Sequence, residues 1–526
     1  MRTADAQENR REDHSGVRPG ERRDDVQVRL PDDRVFDAPR GTPLVDIFRV
    51  AFPNGDDPLV AAIVDGEIRE LGRPVTTDID AEPVFLSSSD GIRIYSRSLS
   101  FLLVVVVSES YPGVRVRIEY SVPHGGFFCR VEGRKPFTSR ELSRVRVRME
   151  ELVAEDLPIL RERYALDKAR DIFAARGEEG KARLLEARAA DHLHLYSLNG
   201  VSDYFYGYMV PSTGVLRTFA LETFSDGFIL RFPRREDPTK LLPAKKFTAL
   251  REVFDEYGKW LQLLGMRSVE SLNSAIQSGR IEQIVLVSEA LHEKRIAEIA
   301  ERIATKHREG LRLVFIAGPS ASGKTTFSKR LAIQLLAGGL QPYPLAMDNY
   351  FYPRATLHER YGENADFDSL DALDVERIRE DLRNLIGGEP VVVPRFDFRT
   401  GDRSGDLCVQ LEANQILLVE GIHGLNPDLL VEDPARNCFR IFVSALTQLN
   451  LDIHNRVSTT DTRLIRRTVR DAAYRGYSAE QTLGMWENVR AGEKRNIFPY
   501  QEEADVMFNS ALGYELAVLK PLVEPL

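Results

Sequence analysis

Leu313-Val314-Phe315-Ile316-Ala317-Gly318-Pro319-Ser320-Ala321-Ser322-Gly323-Lys324-Thr325-Thr326 is the stretch on which the fold turns. Its first five residues are a continuous apolar run of buried-strand length, and Gly318 to Thr325 satisfy G-x-x-x-x-G-K-[ST]. Beyond them Phe327, Leu331 and Leu335 recur every four residues until Gly338-Gly339 stops the pattern, as in an amphipathic helix. A glycine-rich loop between a strand and a helix wraps a polyphosphate, because its N–H groups and the helix N-terminus supply positive potential. Gly318, Pro319, Ser320, Ala321, Ser322, Gly323 and Thr326 then surround the phosphates of a nucleotide, Lys324 reaches its β- and γ-phosphates, and Thr325 is expected to ligate Mg²⁺.

Outside this stretch, composition sets bounds. A chain of 526 residues suggests roughly three or four domains, and its 43% hydrophobic content is ample for buried cores. The three cysteines, Cys129, Cys408 and Cys438, lie far apart without C-x-x-C spacing, which fits a reducing cytosol and offers no cysteine-based zinc site. A net charge of -9 argues against a globally basic nucleic-acid binder. Residues 1–25 are charged and lack an apolar core, so they read as a disordered tail rather than a signal peptide or anchor. The most apolar stretch, Phe101 to Val107, is much shorter than a membrane span and reads as a buried element. The expectation is a cytoplasmic protein with no membrane association; its oligomeric state stays open.

Downstream of the loop, the strand Tyr343 to Met347 ends in Asp348, and the strand Gln415 to Val419 ends in Glu420. In an open α/β sheet the carboxyl edge of the strands holds the ligand. Phosphoryl transfer to a hydroxyl needs a carboxylate for the acceptor, a metal bridging phosphate oxygens and cations to offset the spreading charge. Asp348 suits the first task and Glu420 suits Mg²⁺ coordination through water, although either acid alone is equally at home as a turn or cap carboxylate. For the third, Arg463, Arg467 and Arg470 fall on one helical face with Arg466 beside them, and Arg475 follows. They form either a phosphate-gripping lid or a solvated basic face.

The segments GPSASGKTT, MDNYF, FDSLDALD, VPRFDF, LLVEGIH and DTRLIRRTVRDAAYRG occur in the order found in the uridine kinase and phosphoribulokinase group, which the chain resembles from about Arg312 onward. The resemblance implies an α/β P-loop kinase domain, a mostly parallel sheet flanked by helices. It implies Asp348 as catalytic base, an acceptor site of Tyr350, Phe367, Asp368, Phe396 and Phe398, and catalytic roles for Lys324, Arg467 and Arg470, with Arg475 on the ATP phosphates. Three positions depart from the uridine kinase pattern: Phe396 stands for a tyrosine, Gly401 for a histidine that helps read the base, and Tyr477 for a lid arginine. Losing a hydroxyl and an imidazole removes polar readout of the base.

The N-terminal half resembles threonyl-tRNA synthetase. Residues 26–88 are similar to its TGS domain, a β-grasp module, and 89–244 to its α+β editing domain. The four metal-binding positions of that editing centre correspond here to Arg97, Phe101, Phe205 and Met209, none of which is a good zinc ligand, so no zinc and no editing hydrolysis are expected. The two rings and the methionine read as a packed core or a small-molecule pocket. His192 and His194 alternate on one strand and read as ordinary structure. Residues 245–310 carry helical spacing at Ile284, Val287, Leu291, Ile296, Ile299 and Ile303 and read as connecting helices before the domain at 311–526. The function expected is an ATP- and Mg²⁺-dependent kinase acting on a small-molecule acceptor, a nucleoside 5′-hydroxyl first. Another sugar-like acceptor, or an ATP-switched regulator whose N-terminal domains contact RNA or the ribosome, are the alternatives.

Overall fold

Val26 and Val28 alternate inward, as a half-buried strand requires, and open the first of three packed units. In this computed structural model the described residues are 23–53, 57–186, 188, 190–244, 247–362, 369–397, 399–429 and 438–526. The first unit comprises β1 (Asp25–Arg29), β2 (Val35–Pro39), α1 (Leu44–Ala51), β3 (Leu59–Val64), β4 (Glu67–Arg69) and β5 (Ile79–Phe85). Its mixed sheet runs β2-β1-β5-β3-β4, with β1 and β5 parallel, and the apolar face of α1 (Leu44, Ile47, Phe48, Ala51) covers it. Most of the expected N-terminal tail lies outside the described residues, but Asp25 is already in β1 and Arg23 pairs with Asp78. Residues 23–25, assigned to the tail by their charge, therefore belong to the first unit.

The second unit is built on α2 (Ser89–Ser110), followed by β6 (Arg115–Ser121), β7 (Gly126–Glu132), α3 (Ser139–Ala154), β8 (Leu160–Ala165), α4 (Leu166–Ala175), α5 (Glu179–Glu186), β9 (His192–Leu198), β10 (Val201–Asp203), β11 (Ala220–Phe224) and β12 (Gly227–Arg231). Two antiparallel sheets, β11-β12-β7-β6 and β10-β9-β8, result. The apolar run Phe101–Val107 lies inside α2. That helix is long and apolar enough to cross a membrane by composition, yet the run is buried against β6, β7 and α3 as a core element.

Three helices follow: α6 (Thr248–Leu263), α7 (Val269–Gln277) and α8 (Ile281–Arg308). They do more than connect. Phe254 of α6 stacks on Tyr120 of the second unit at 3.7 Å between ring centres, while the same helix shares a core with Phe442 and Met507 of the third. Ile296, Ile299 and Ile303 of α8 pack into the core around β13.

The third unit contains β13 (Leu313–Ala317), α9 (Lys324–Ala337), β14 (Gln341–Ala346), α10 (Arg354–Tyr361), α11 (Val375–Gly387), β15 (Val391–Asp397), β16 (Asp402–Val409), β17 (Gln415–Glu420), β18 (Cys438–Ser444) and β19 (Val506–Asn509). Every pairing in the sheet β14-β17-β13-β18-β19 is parallel, and β13 at its centre is buried along its whole length, which explains its unbroken apolar sequence. β15 and β16 form a separate hairpin. Two helices between β18 and β19 matter below: a lid helix (Thr459–Tyr474) and a brace helix (Ala479–Asn496).

Candidate active site

β13 ends at Ala317, and the chain turns at once through Gly318, whose φ is +151° and whose missing Cβ would lie 2.0 Å from the Val443 carbonyl oxygen. Only glycine lets the loop leave the sheet so close to β18. Lys324 opens α9, almost fully buried, and donates to the Pro319 carbonyl at 3.2 Å, while Thr325 and Thr326 stay exposed at the mouth. Pro319, Ser320, Ala321, Ser322 and Gly323 complete the loop between them.

Asp348 and Glu420 reach this loop because β14 and β17 are parallel neighbours ending at the same sheet edge, where Ala346 pairs with Glu420. Asp348 sits in the short turn Met347–Tyr350, partly open to solvent yet closely surrounded by protein. Its carboxyl is held above the ordinary range, first by desolvation and then by the negative Glu420; Lys324, Arg475 and Arg470 oppose the shift. Lys324 is pushed the other way by burial, against the pull of Glu420 and Asp348. Thr325 donates its hydroxyl to Glu420 at 3.0 Å.

The arginines divide by role. Arg463 is fully buried: it donates to the Ser320 carbonyl at 2.9 Å and pairs with Glu493 of the brace helix, which accepts the Ser320 N–H at 2.9 Å. Arg467 donates to the Ser320 hydroxyl at 2.8 Å and pairs with the buried Asp471 at 3.2 Å. Asp471 also holds Arg470 at 2.7 Å and Arg475 at 3.7 Å, so one carboxylate gathers three guanidinium groups facing the loop. Arg466 points elsewhere, to Glu515 and to Ser510, whose hydroxyl donates to the Ser322 carbonyl. The basic helix is therefore no solvated face.

On the acceptor side, Phe396 lies 5.6 Å from Phe351 and its N–H reaches Asn349 at 3.4 Å, which ties the β15–β16 hairpin to the residue after Asp348. Tyr350, expected in the acceptor site, is not there. Its ring is buried beneath the turn and its hydroxyl donates to Asp381 at 2.9 Å, because this single helical turn sends Met347 and Tyr350, three positions apart, into the core. Phe367, Asp368 and Phe398 lie outside the described residues. Sequence reasoning missed two residues. Glu493 is 30 positions from the arginine it neutralises, a separation no local pattern reveals. His423, in LLVEGIH, is buried, its ring nitrogens make no hydrogen bond of good geometry, and burial beside Lys324 lowers its pKa to about 4, so it stays neutral at working pH.

The expected base role of Asp348 gives a pH signature. A base must be ionised, so kcat/KM should fall on acidification through a pH above the usual carboxylate range; a profile flat down to about pH 4 would remove Asp348 from that role.

At the corresponding centre of the second unit, Phe101, Phe205 and Met209 are buried together, with Phe101 and Phe205 5.5 Å apart. Arg97 donates to the Tyr208 carbonyl at 2.7 Å. The residues present do not fit a zinc ion; the site is a packed core, closed on one side by His454 of the third unit, which stacks on Phe205. His192 and His194 are exposed on β9. Among the described residues one buried group, Glu178, Asp203 and His454, has metal-ligand chemistry, but the Lys181 ammonium stands among these ligands, 2.8 Å from His454 and 3.4 Å from Glu178. A protein cation already occupies that place.

Residues 313–513 match the model of the Phosphoribulokinase / Uridine kinase family. The N-terminal region is 32% identical over 197 residues to threonine–tRNA ligases of Paraburkholderia xenovorans and Burkholderia lata, a match spanning 37% of this chain and 31% of each relative. The chain thus spans about a third of the length of the curated relatives it matches. Among solved structures, a possible uridine kinase from Bacillus stearothermophilus is 20% identical with a TM-score of 0.30, covering 41% of this chain and 98% of that one. D-glycerate 3-kinase from Cryptococcus neoformans is 15% identical with a TM-score of 0.31, covering 40% and 89%. The C-terminal part of this chain is thus similar to the phosphoribulokinase and uridine kinase family over residues 313–513, and the N-terminal region is similar to part of threonine–tRNA ligase.

Proposed function

We propose that this protein transfers the γ-phosphoryl group of ATP to an alcohol hydroxyl of a small, sugar-like molecule in the cytoplasm. A nucleoside 5′-hydroxyl is the member of that class which the family resemblance favours. The observation that carries the reading is the placement of Asp348: a half-buried carboxylate with a raised pKa at the sheet edge that also holds Lys324 and Glu420.

Asp348 accepts the proton of the acceptor hydroxyl as its oxygen attacks phosphorus, and Lys324 offsets charge on the β- and γ-phosphates. Arg467, Arg470 and Arg475, gathered on Asp471, stabilise the spreading charge on the transferred group. A hydroxyl and a carboxylate are hard oxygen donors, so Thr325 and Glu420 fit Mg²⁺, which when bound supplies positive charge to the phosphate oxygens. Thr325→Val should raise the Mg²⁺ concentration for half-maximal turnover roughly tenfold or more, read by Mg²⁺ titration at saturating ATP; an unchanged curve would remove Thr325 from the metal site.

The deciding experiment is ADP release from the full-length protein with ATP-Mg²⁺ and a panel of nucleosides, sugars and RNA. A hydroxyl acceptor should stimulate release and be recovered phosphorylated. Stimulation by RNA alone, with no phosphorylated small molecule, would replace the kinase reading with a nucleotide-switched RNA contact.

A further inference from the structure

We propose that Tyr350 and Asp381 are positioning residues for the phosphoryl transfer: the phenol, held by a carboxylate of α11, fixes the turn that carries Asp348 and so sets the distance from the base to the acceptor hydroxyl. This rests on the kinase reading, in which Asp348 takes the proton, and deepens it.

Met347 to Tyr350 form a single helical turn at the end of β14, and the bond that closes it, from the Phe351 N–H to the Asp348 carbonyl, is stretched to 3.5 Å. So short a turn does not fix its own place. Its fastenings come from outside: the Asn349 side chain accepts the Phe396 N–H, the Tyr350 carbonyl accepts the Asp374 N–H at 3.0 Å, and the Tyr350 hydroxyl donates to Asp381 at 2.9 Å. Asp374 caps α11 and Asp381 lies in its second turn, seven residues on and therefore on the same face. That helix is firmly seated. Ile378, Leu382 and Leu385 are buried in the core that also holds Met347 and Tyr350, and Arg377 donates to the Val392 carbonyl at 2.7 Å.

Stability alone does not account for the pair. Leu357, Leu373 and Ile378 share the core with Tyr350, and desolvation raises the Asp381 pKa against the pull of Tyr350 and Arg377. Burial and then the Asp381 charge push the Tyr350 phenol up, so it stays protonated and donates. A phenylalanine would fill the same space with no hydroxyl to satisfy, and exchanging a buried polar pair for apolar groups of the same shape is often neutral or stabilising. What the pair adds is direction: a charge-assisted hydrogen bond to a seated helix holds the ring at one point, whereas apolar contact is non-directional. Tyr350 is two residues from Asp348, so a shifted ring carries the base with it, and a misplacement of roughly 1 Å can cost on the order of 10²-fold in rate. Lys324 and the phosphate loop stand on β13 and α9, so ATP binding should be left alone.

The test is kcat and KM of the full-length protein with ATP-Mg²⁺ and uridine, then the other nucleosides and sugars of the panel, with a melting curve for every variant. Tyr350→Phe should lower kcat roughly 10- to 100-fold, with KM for ATP within about twofold and the melting temperature unchanged or higher. Asp381→Leu should do the same, while Asp381→Asn, which still offers an oxygen to the Tyr350 hydroxyl, should keep most of the rate. A cycle with Asp348→Asn separates positioning from general support of the fold: with the base gone there is nothing left to position, so Tyr350→Phe should make no further difference in that background. A loss of the same fold-change in both backgrounds, a parental rate in Tyr350→Phe, or losses that follow the melting temperature from variant to variant overturns the proposal and leaves the kinase reading standing. Should Asp381→Leu fail to fold, Tyr350→Phe, which removes a single oxygen, carries the test alone. No phosphorylated product from the parent with any hydroxyl acceptor overturns the kinase reading, and the proposal with it.

Discussion

Replacing Asp348 with asparagine is expected to lower kcat by roughly 10²- to 10⁴-fold while ATP affinity stays nearly the same. Asparagine keeps the shape and can accept a hydrogen bond, but it cannot take a proton at working pH. Among the described residues the carboxyl's charged neighbours are the site groups Glu420, Lys324, Arg475 and Arg470, so the loss should appear in turnover and much less in melting temperature. Because Asp348 also contributes negative potential beside Lys324, its removal should tighten nucleotide binding slightly rather than weaken it. Equilibrium titration of a fluorescent ATP analogue, run beside single-turnover transfer, separates the two quantities. A variant that binds ATP poorly would mean that Asp348 acts on the donor side, and near-normal transfer would mean that another group receives the proton.

Glu493→Ala should be the most destabilising single change in the C-terminal domain. Both Glu493 and Arg463 are about 2% exposed, and removing one partner leaves a buried guanidinium without its counter-charge, a loss of roughly 3–5 kcal/mol. For a domain of about 200 residues that lowers the melting temperature by roughly 6–20 °C. The change also frees the Ser320 N–H from its acceptor, so the phosphate loop should loosen and KM for ATP should rise as well. Glu493→Gln keeps an oxygen for Ser320 and should cost less. Exchanging the pair together, Arg463→Met with Glu493→Leu, should recover much of the stability but none of the loop bracing. Calorimetry with and without ATP reads both effects; a Glu493→Ala protein that melts like the parent would show that the pair is solvated in solution.

The strand, the loop and α9 were legible in Leu313 to Leu335 because a buried parallel strand and an amphipathic helix impose different periods on adjoining residues. Asp348 and Glu420 were legible for a related reason: each follows an apolar strand, and parallel strands end at one edge. What the lid arginines do was not. Arg463, Arg466 and Arg467 sit within five residues, yet their partners, Glu493, Glu515 and Ser320, come from three other elements. Tyr350 misled because MDNYF reads as a unit along the chain, whereas the turn it forms sends the tyrosine inward to Asp381. Residues 245–310 looked like a connector because helical spacing reports which face is apolar but not how many cores that face serves. The junction between Lys181, Asp203 and His454 lay beyond reach for the plainest reason, since 273 positions separate the lysine from the histidine.

That junction bears on the order in which the chain takes shape. The segment leading into the lid helix is threaded into the second unit: Asn450 donates to the Ile118 carbonyl from 332 positions away, Ile453 accepts the Ile118 N–H, and Asn455 bonds to Tyr204 and Tyr206. Such distant pairings pay their loop-closure entropy before any contact repays it, and during synthesis the N-terminal units emerge first. A finished synthetase-like body can therefore act as a template on which the phosphotransfer half completes itself. The residues just ahead of Arg463 are held by that body, so the lid helix that grips the loop is anchored in the second unit as well as in its own.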